Sequence, residues 1–451
     1  MKTAAETATA EFAGIVGEAH LTLEPSTCAQ FAIDGKAPGC VIYPNSPEQA
    51  AQVLKCAADR DLPLVVAGGA TKLGIGNSPR RYDIALCTRN LTKVSYYEPA
   101  DLTAGVGAGT SLAELQTLLR SDRLWLPLDP HGSGRATIGG VVAANATGPL
   151  RHFYGAPRDM VVGMQIATTT GKLIRTGGRV VKNVAGYDLG KLLIGSYGTL
   201  GVITEVNLKL YPLPLNRETS VFSVGALNVA RDMRVRILNS PVSLLRMALT
   251  DAEVAGILPS DEQLGRKGHE LQLWVEAGGS KTVISRTWRD LNELGRAAGA
   301  SFRVQEGESA QEAWQAISDF DHRLTSMNPE AVVLKCTLPI AATEEFLGLV
   351  RQEAQNEKVR TPFVVYPGVG MIHVGLLVLH SATRAAGLIS RIRAAAEQAG
   401  GAVVVVYAPP EFKAQVDVWG TPPSGFNLMR KMKATWDPKG ILAPGRFIGS
   451  I

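Results

Sequence analysis

The sequence predicts an α+β protein built from two modules, and three observations carry that expectation. In the first half, short β-runs alternate with helices but never settle into a regular βαβ series. In the second half, the order strand–helix–strand–strand–helix–strand occurs twice. The 47 glycines are uneven, gathering at 68–76, 105–109, 132–155 and 177–201. A chain of 451 residues is also too long for one core. The Pro-punctuated stretch YPLPLNRE at 211–218 marks the boundary. The expected division is 1–214, 215–420, and a segment 421–451 that returns to the first module.

In chain order, the run CVIYP (40–44) leads into an amphipathic helix opened by Ser46 as N-cap and Pro47 at N1. Strand LPLVVA, a glycine loop, and strands DIALCT, KVSYYEPA and DLTAGVGAGT follow. The helix SLAELQTLLRSD begins at Thr110 or Ser111, with Glu114 at capping-box spacing. Residues 158–211 read almost entirely as β, with TTTGK as a hairpin turn. The first repeat of the second module runs from TSVFSVG to SFRVQE and the second from EAVVLKCTL to AVVVVYA. Each is a ferredoxin-like βαββαβ unit, so the second module is expected to be an antiparallel sheet with helices on one face. The tail NLMRKMKATWDPKGILAPGRF is a helix stopped at Asp437-Pro438.

Composition removes several function classes. The net charge of +5 is not gathered into basic runs, which argues against a nucleic-acid partner. The five cysteines, Cys28, Cys40, Cys56, Cys87 and Cys336, lack the tight spacing of an iron–sulfur ligand set. No apolar run approaches the roughly 20 residues of a membrane span, and the N-terminal stretch has no signal-peptide pattern. A cytoplasmic location is expected.

The glycine loop Ala67–Asn77 follows a β-run and fits neither the P-loop order nor GxGxxG. Successive bare amides can form a nest for phosphate oxygens, to which Lys72 adds a point charge. The alternative is a surface turn. GVGAGT at 105–110 suits tight packing better than a dinucleotide fingerprint. The small-residue run at 128–165 can let a flat ring or a pyrophosphate lie on main chain, or can serve close helix packing.

The loop at 68–76, the segment GRATIGGVVAANATGP, the string VKNVAGYD and the strand YGTLGVITEVNLKLYP together resemble the PCMH-type FAD-binding domain of the vanillyl-alcohol-oxidase-like flavoproteins. RATIGG with KNVAGYDLGKLLIGSYGTLGVI resembles, within that superfamily, the FAD-binding subunit of bacterial glycolate oxidase. The tail WDPKGILAPGRF resembles the closing motif of these flavoproteins. The resemblance implies that Ala67, Gly68, Gly69, Ala70, Thr71, Lys72 and Leu73 wrap the FAD pyrophosphate, with Gly76 and Asn77 beside them. It implies that Thr137, Gly139, Gly140, Asn145, Gly148, Tyr154 and Gly155 line the rest of the cofactor site, and that Gly201, Val202 and Ile203 meet it through main chain. Covalent members carry a histidine in the loop. Here Ala70, Thr71 and Lys72 stand there, so FAD is expected to be noncovalent.

The resemblance further implies oxidation of a small 2-hydroxy acid of the glycolate or D-lactate class. It implies work beside a second FAD-linked subunit and an iron–sulfur subunit, with any contact to the membrane made through these partners. Of the paired metal-binding histidines of the self-sufficient dehydrogenases only one is present, and their Glu-His-Gly string is absent, so no metal site is expected. Two other readings stay open: a self-sufficient FAD-linked 2-hydroxy-acid or alcohol dehydrogenase, and a flavin-bearing scaffold without catalysis.

Alternation along the second module's strands puts Arg246, Trp274, Lys335 and His373 on one face, expected to be free of helices. In the resembled superfamily that face overhangs the flavin. Arg246 is a candidate carboxylate clamp, His373 a candidate base and Lys335 a further catalytic candidate; the alternative is that these residues pair with Glu276 or face a partner protein. His131 and His152 are secondary candidates for tuning the flavin site.

Overall fold

The computed structural model describes residues 4–179, 188–255, 271–305, 307–377 and 381–451. The chain forms two compact units. One comprises 1–147, 156–213 and 421–451, and the other 148–155 and 214–420.

The first unit holds two main sheets. In the four-stranded sheet, Cys40–Ile42, Ile84–Cys87 and Leu64–Ala67 run parallel, and Leu21–Thr22 pairs antiparallel with Cys40–Ile42. The crossover between Cys40–Ile42 and Leu64–Ala67 is the helix Pro47–Asp59, capped by Ser46 with Pro47 at its first position. That helix buries Ala50, Val53, Leu54 and Ala57 against Ile42, Leu64 and Ile84. The five-stranded antiparallel sheet runs in the order Val94–Glu98, Thr103–Gly107, Val202–Lys209, Val161–Ala167, Leu173–Gly177. Its last two strands form the hairpin that TTTGK predicts, with Gly171 at φ +78° in the turn. The helix Leu112–Arg120 carries the full capping box between Ser111 and Glu114.

The second unit is one eight-stranded antiparallel sheet. Its elements are β1 (Asn216–Val224), α1 (Leu227–Leu238), β2 (Arg246–Thr250), β3 (Leu271–Gly279), α2 (Lys281–Ala297) and β4 (Ser301–Gln305). Then come α3 (Gly307–Ser318), α4 (Phe320–Met327), β5 (Val332–Thr337), α5 (Thr343–Asn356), β6 (Phe363–Tyr366), β7 (Met371–Leu376), α6 (Ala382–Gln398) and β8 (Ala402–Tyr407). The strand order β4-β1-β3-β2-β6-β7-β5-β8 is that of two βαββαβ units joined edge to edge through β2 and β6. Helices α1, α2, α5 and α6 cover one face, burying Met233, Leu291, Leu347 and Leu388 among Leu249, Val275, Leu334 and Val374.

The opposite face is not free of helices. α3 and α4 lie on it, placing Ala313, Trp314, Ile317, Phe320 and Leu324 against Trp274, Val364 and Tyr366. The apolar positions 310, 313, 314 and 317 give α3 a helical stripe that one sheet face can bury.

Candidate functional site

Two clusters carry the candidate functional residues, one in each unit. In the first unit, strand Leu64–Ala67 ends in the glycine loop, and this loop is clasped by the segment 131–137. A Cβ on Gly68 would stand 2.0 Å from Thr137 Oγ1, and one on Gly69 1.7 Å from the Arg135 carbonyl oxygen. The bareness of these two glycines is therefore set by neighbouring polypeptide. Lys72 Nζ donates to the His131 carbonyl at 3.1 Å, and His131 Nε2 lies 3.2 Å from the Thr71 carbonyl oxygen. Ala70 sits at φ +58° without being glycine, a conformation held by this clasp.

The C-terminal segment secures the loop from another side. Arg446 donates through one guanidinium nitrogen to the carbonyls of Leu73, at 2.6 Å, and Ile75. The Asn77 amide donates to the Arg446 carbonyl at 3.0 Å. Burial lowers the Arg446 pKa to about 10, with Asp34 opposing. Lys433 donates to Asp437 and to the carbonyls of Thr199 and Leu442, and Asp437 accepts the amides of Ile441 and Leu442. This buried pair pins the tail beside Leu64–Ala67.

Among the described residues, the amide hydrogens of Gly69, Ala70 and Thr71 have no acceptor. Three consecutive donors of that kind suit phosphate oxygens. Thr137 caps the helix Ile138–Ala143 and accepts from the Gly140 amide, and Gly139 packs against Ala108. Just beyond that helix, Asn145 adopts φ +45°, and its buried Oδ1, like the Thr147 Oγ1, has no hydrogen-bond partner among the described residues. Gly201 has room only for hydrogen beside Ile166 and Ala167, where Val202 and Ile203 enter the five-stranded sheet. Unmet amides and unmet buried side-chain oxygens in one unit fit a polar nucleotide cofactor. The glycines at 105–109 are accounted for by packing on Tyr96, Leu91 and Thr88. Of the string VKNVAGYD only Asp188 falls within the described residues.

Gly148, Tyr154 and Gly155, expected to line the cofactor, group with the second unit. The short helix Arg151–Tyr154 packs on β2. His152 rests against Gly368, where a Cβ would stand 2.1 Å from Nδ1, and burial lowers its pKa.

In the second unit, Arg246 is not an open clamp. Its guanidinium binds both carboxylate oxygens of Glu276, at 2.8 and 2.9 Å, and lies over the Trp314 ring, 4.3 Å from its centroid. Both members of the pair are buried. Lys335 and His373 are direct partners across the β5–β7 ladder. His373 Nδ1 stands 2.9 Å from each carboxylate oxygen of Asp321 on α4, and its ring lies 5.8 Å from that of Tyr366. Since an ionised carboxylate only accepts, Nδ1 carries the hydrogen and Nε2 keeps the lone pair. Burial lowers the Lys335 pKa; Arg151 acts in the same direction and Asp321 against it. Asp321 was not foreseen from the sequence, because α4 was not. The available signal was the amphipathic period of AQEAWQAISDFDHRL, which demands a second helix-covered face.

Residues 38–177 match the FAD binding domain model, and 413–447 match the C-terminal domain of FAD linked oxidases. The glycolate oxidase subunit GlcE of Escherichia coli (strain K12) is 40% identical over 250 residues, 54% of this chain and 67% of that protein. The chain belongs to the PCMH-type FAD-binding family of FAD-linked oxidases. Other relatives of this FAD-linked oxidase match along nearly its whole length. The glycolate oxidase subunit GlcD of Bacillus subtilis (strain 168) is 24% identical over 417 residues, 91% of this chain and 88% of that protein. The structure of p-cresol methylhydroxylase with substrate bound superimposes with a TM-score of 0.76 at 16% identity, covering 99% of this chain and 97% of the other. FAD is thus the cofactor of an FAD-dependent oxidoreductase, and the unmet amides at 69–71 lie within the matched domain. No helix among the described residues is long and apolar enough to cross a membrane.

Proposed function

We propose that the protein oxidises a small 2-hydroxy acid, of the glycolate or D-lactate class, to the 2-oxo acid. The observation that carries this reading is the His373–Asp321 hydrogen bond beside Lys335. Oxidation of an alcohol carbon removes a hydride from carbon and a proton from the hydroxyl. FAD, when bound, supplies the two-electron acceptor for the hydride. The hydroxyl proton goes to His373 Nε2, the ring nitrogen left to accept it because Nδ1–H is held on the Asp321 carboxylate. Lys335, its charged form disfavoured by burial, stands where an acid's negative charge would restore it. Arg246, closed on Glu276, is left with a structural part.

The 40% identity to a glycolate oxidase subunit supports a second element of the proposal. The chain works in an assembly with another FAD-linked subunit and an iron–sulfur subunit that carries electrons onward. The His–Asp pair within this chain favours the other reading, a dehydrogenase that needs no partner for the chemical step. One experiment separates them. The purified flavoprotein is mixed anaerobically with glycolate or D-lactate, with and without its co-purified partners, and the flavin absorbance is followed. Bleaching only in the assembly supports the subunit reading; equal bleaching by the isolated chain supports self-sufficiency. A flavin that neither acid bleaches in any preparation refutes the hydroxy-acid proposal.

A further inference from the structure

We propose that a groove in the second unit, on the side of its sheet away from His373, binds a small phosphorylated molecule. Helices α1 and α5 belong to the layer that covers one sheet face, and His373 stands on the other, level with Val364. A groove of about 570 Å³ opens between Leu227, the first residue of α1, the C-terminal half of α5, and the chain that follows α5 as far as Thr361. That volume is in the range of small-molecule sites.

The lining carries an excess of positive charge. Arg351, Lys358 and Arg360 are its three cations, and Glu253 is its one carboxylate. Glu253 is already engaged, accepting from Arg360 at 2.9 Å. Among the described residues neither Arg351 nor Lys358 makes a salt bridge. Arg351 lies over the Phe363 ring, with Cζ 5.7 Å from its centroid, and the buried Asp251 acts on it electrostatically. Even with Asp251 ionised, positive charge remains in excess. Arg351 and Lys358 are exposed, so a ligand reaches them without rearrangement. Positions 348, 351, 352 and 355 share one face of α5, so the Gln352 and Gln355 amides are presented together with the guanidinium.

The backbone around the groove departs from its local optimum in two places. Helix α5 ends in a Schellman motif: the Lys358 amide donates to the Gln355 carbonyl at 3.0 Å and the Val359 amide to the Ala354 carbonyl at 2.9 Å. The motif puts Lys358 at φ +59°, where a side chain is penalised and glycine is the usual choice. Helices α2 and α6 close on the same motif with glycine in that position, Gly299 at φ +70° and Gly400 at φ +75°. On α5 a lysine is kept instead. The second departure is Gly348. A Cβ there would meet only Leu227 Cδ1, at an ordinary 3.9 Å, so packing does not demand glycine, and a glycine inside a helix weakens it. A lysine where glycine would be relaxed and a glycine where alanine would fit line the same groove. Departures of this kind gather where function constrains the chain. A phosphomonoester, close to a dianion at neutral pH, matches the two cations that have no carboxylate. The Arg351 fork can take two of its oxygens and the Lys358 ammonium a third.

The test uses the full FAD-loaded chain, with and without any co-purified partners, so that the cofactor's own phosphate site is filled. Glucose 6-phosphate, inorganic phosphate and glucose are titrated calorimetrically into the parent and the variants R351Q, K358G and G348L. The parent is expected to bind both phosphates and not glucose. R351Q and K358G are each expected to weaken glucose 6-phosphate by about tenfold. K358G should at the same time melt at or above the parent temperature, because glycine relieves the left-handed backbone. A lysine kept for the fold would instead lower the melting temperature when removed. G348L fills the groove and leaves every charge in place, and it too should weaken glucose 6-phosphate. Affinity within about twofold of the parent in R351Q and K358G, or no binding of either phosphate by the parent, overturns the proposal. Undiminished affinity in G348L also overturns it, by putting the anion on an outer surface. So does binding by the chain alone that vanishes in the assembly, which would assign the groove to a partner protein. None of these results depends on the 2-hydroxy-acid reading, because the groove shares no residue with the His373 cluster.

Discussion

His373 Nδ1 lies 2.9 Å from both carboxylate oxygens of Asp321, although the two residues belong to different elements, strand β7 and helix α4. The hydrogen bond selects the imidazole tautomer with its lone pair on Nε2. Asp321→Asn keeps the shape and removes the charge, and the amide can present its nitrogen to Nδ1 and invert the tautomer. The expected result is a fall in kcat of about 10²-fold or more, with KM and flavin content little changed. Steady-state kinetics on the intact flavoprotein check it; an undiminished kcat removes His373 as the base.

Arg246 and Glu276 form the second relationship with a direct consequence. Both are buried, and the guanidinium is also covered by Trp314. Glu276→Gln leaves a buried cation without its counter-charge, so a loss of about 3–5 kcal/mol is expected in denaturant unfolding. What survives folded should bind the acid with unchanged KM. A raised KM without lost stability would return Arg246 to the substrate.

The order of elements was readable where local signals are strong. Ser46-Pro47 and Ser111 with Glu114 declare helix starts through caps that satisfy specific amides. The two βαββαβ units were readable because alternation and helical period change at each element, and strand order follows from that topology. The sheet's second covering was missed. α3 and α4 lie between the repeats, outside either copy of the pattern, so the face carrying Arg246, Lys335 and His373 read as bare. Pairing choices also lay beyond the sequence. Glu276 follows Trp274 at strand spacing, but that it meets Arg246 depends on the β2–β3 register, with Arg246 opposite Glu276. The union of 148–155 with the second unit is a tertiary fact with no local signature.

Asp251 gives a pH-dependent prediction. Burial raises its pKa to about 7; Glu253 adds to the rise, while the Val254 amide, Arg351 and the Phe363 amide oppose it. The folded state thus holds this proton more tightly than the unfolded chain. Its contribution to stability is fully present below the ordinary carboxylate pKa of 3.8 and is lost as pH rises through about 7. Asp251→Asn removes the titration and can still accept from Val254. Relative to the parent, the variant should therefore gain about 2–3 kcal/mol between pH 5 and pH 8. Denaturant melts at the two pH values measure it; a constant difference would show that Asp251 does not titrate in this window.

The loop chemistry bears on how FAD is attached. Ala70, Thr71 and Lys72 offer no imidazole at the crest of the glycine loop, and among the described residues the amides of Gly69, Ala70 and Thr71 have no acceptor. Noncovalent attachment is therefore the expected outcome. Acid precipitation should leave all of the flavin in the supernatant and none on the protein pellet. Yellow colour retained on the denatured chain would demand a covalent link elsewhere, with His131 the first residue to replace.

The tightest test of the loop architecture is Gly69→Ala. The added methyl would sit 1.7 Å from the Arg135 carbonyl oxygen, a backbone atom that cannot rotate away, so the clasp between 68–72 and 131–137 must open. Opening it displaces the amides of Gly69, Ala70 and Thr71 together and frees Ala70 from its left-handed conformation. The variant should therefore purify with little or no flavin. The second unit has its own core and should remain folded, with far-ultraviolet circular dichroism largely kept. Gly74→Ala is the matched control, since a Cβ there meets nothing within 4 Å. Full flavin in Gly69→Ala would mean that the loop closes on the cofactor without the 131–137 segment. In that event the unmet oxygens of Asn145 and Thr147 would become the next place to look for what holds the nucleotide.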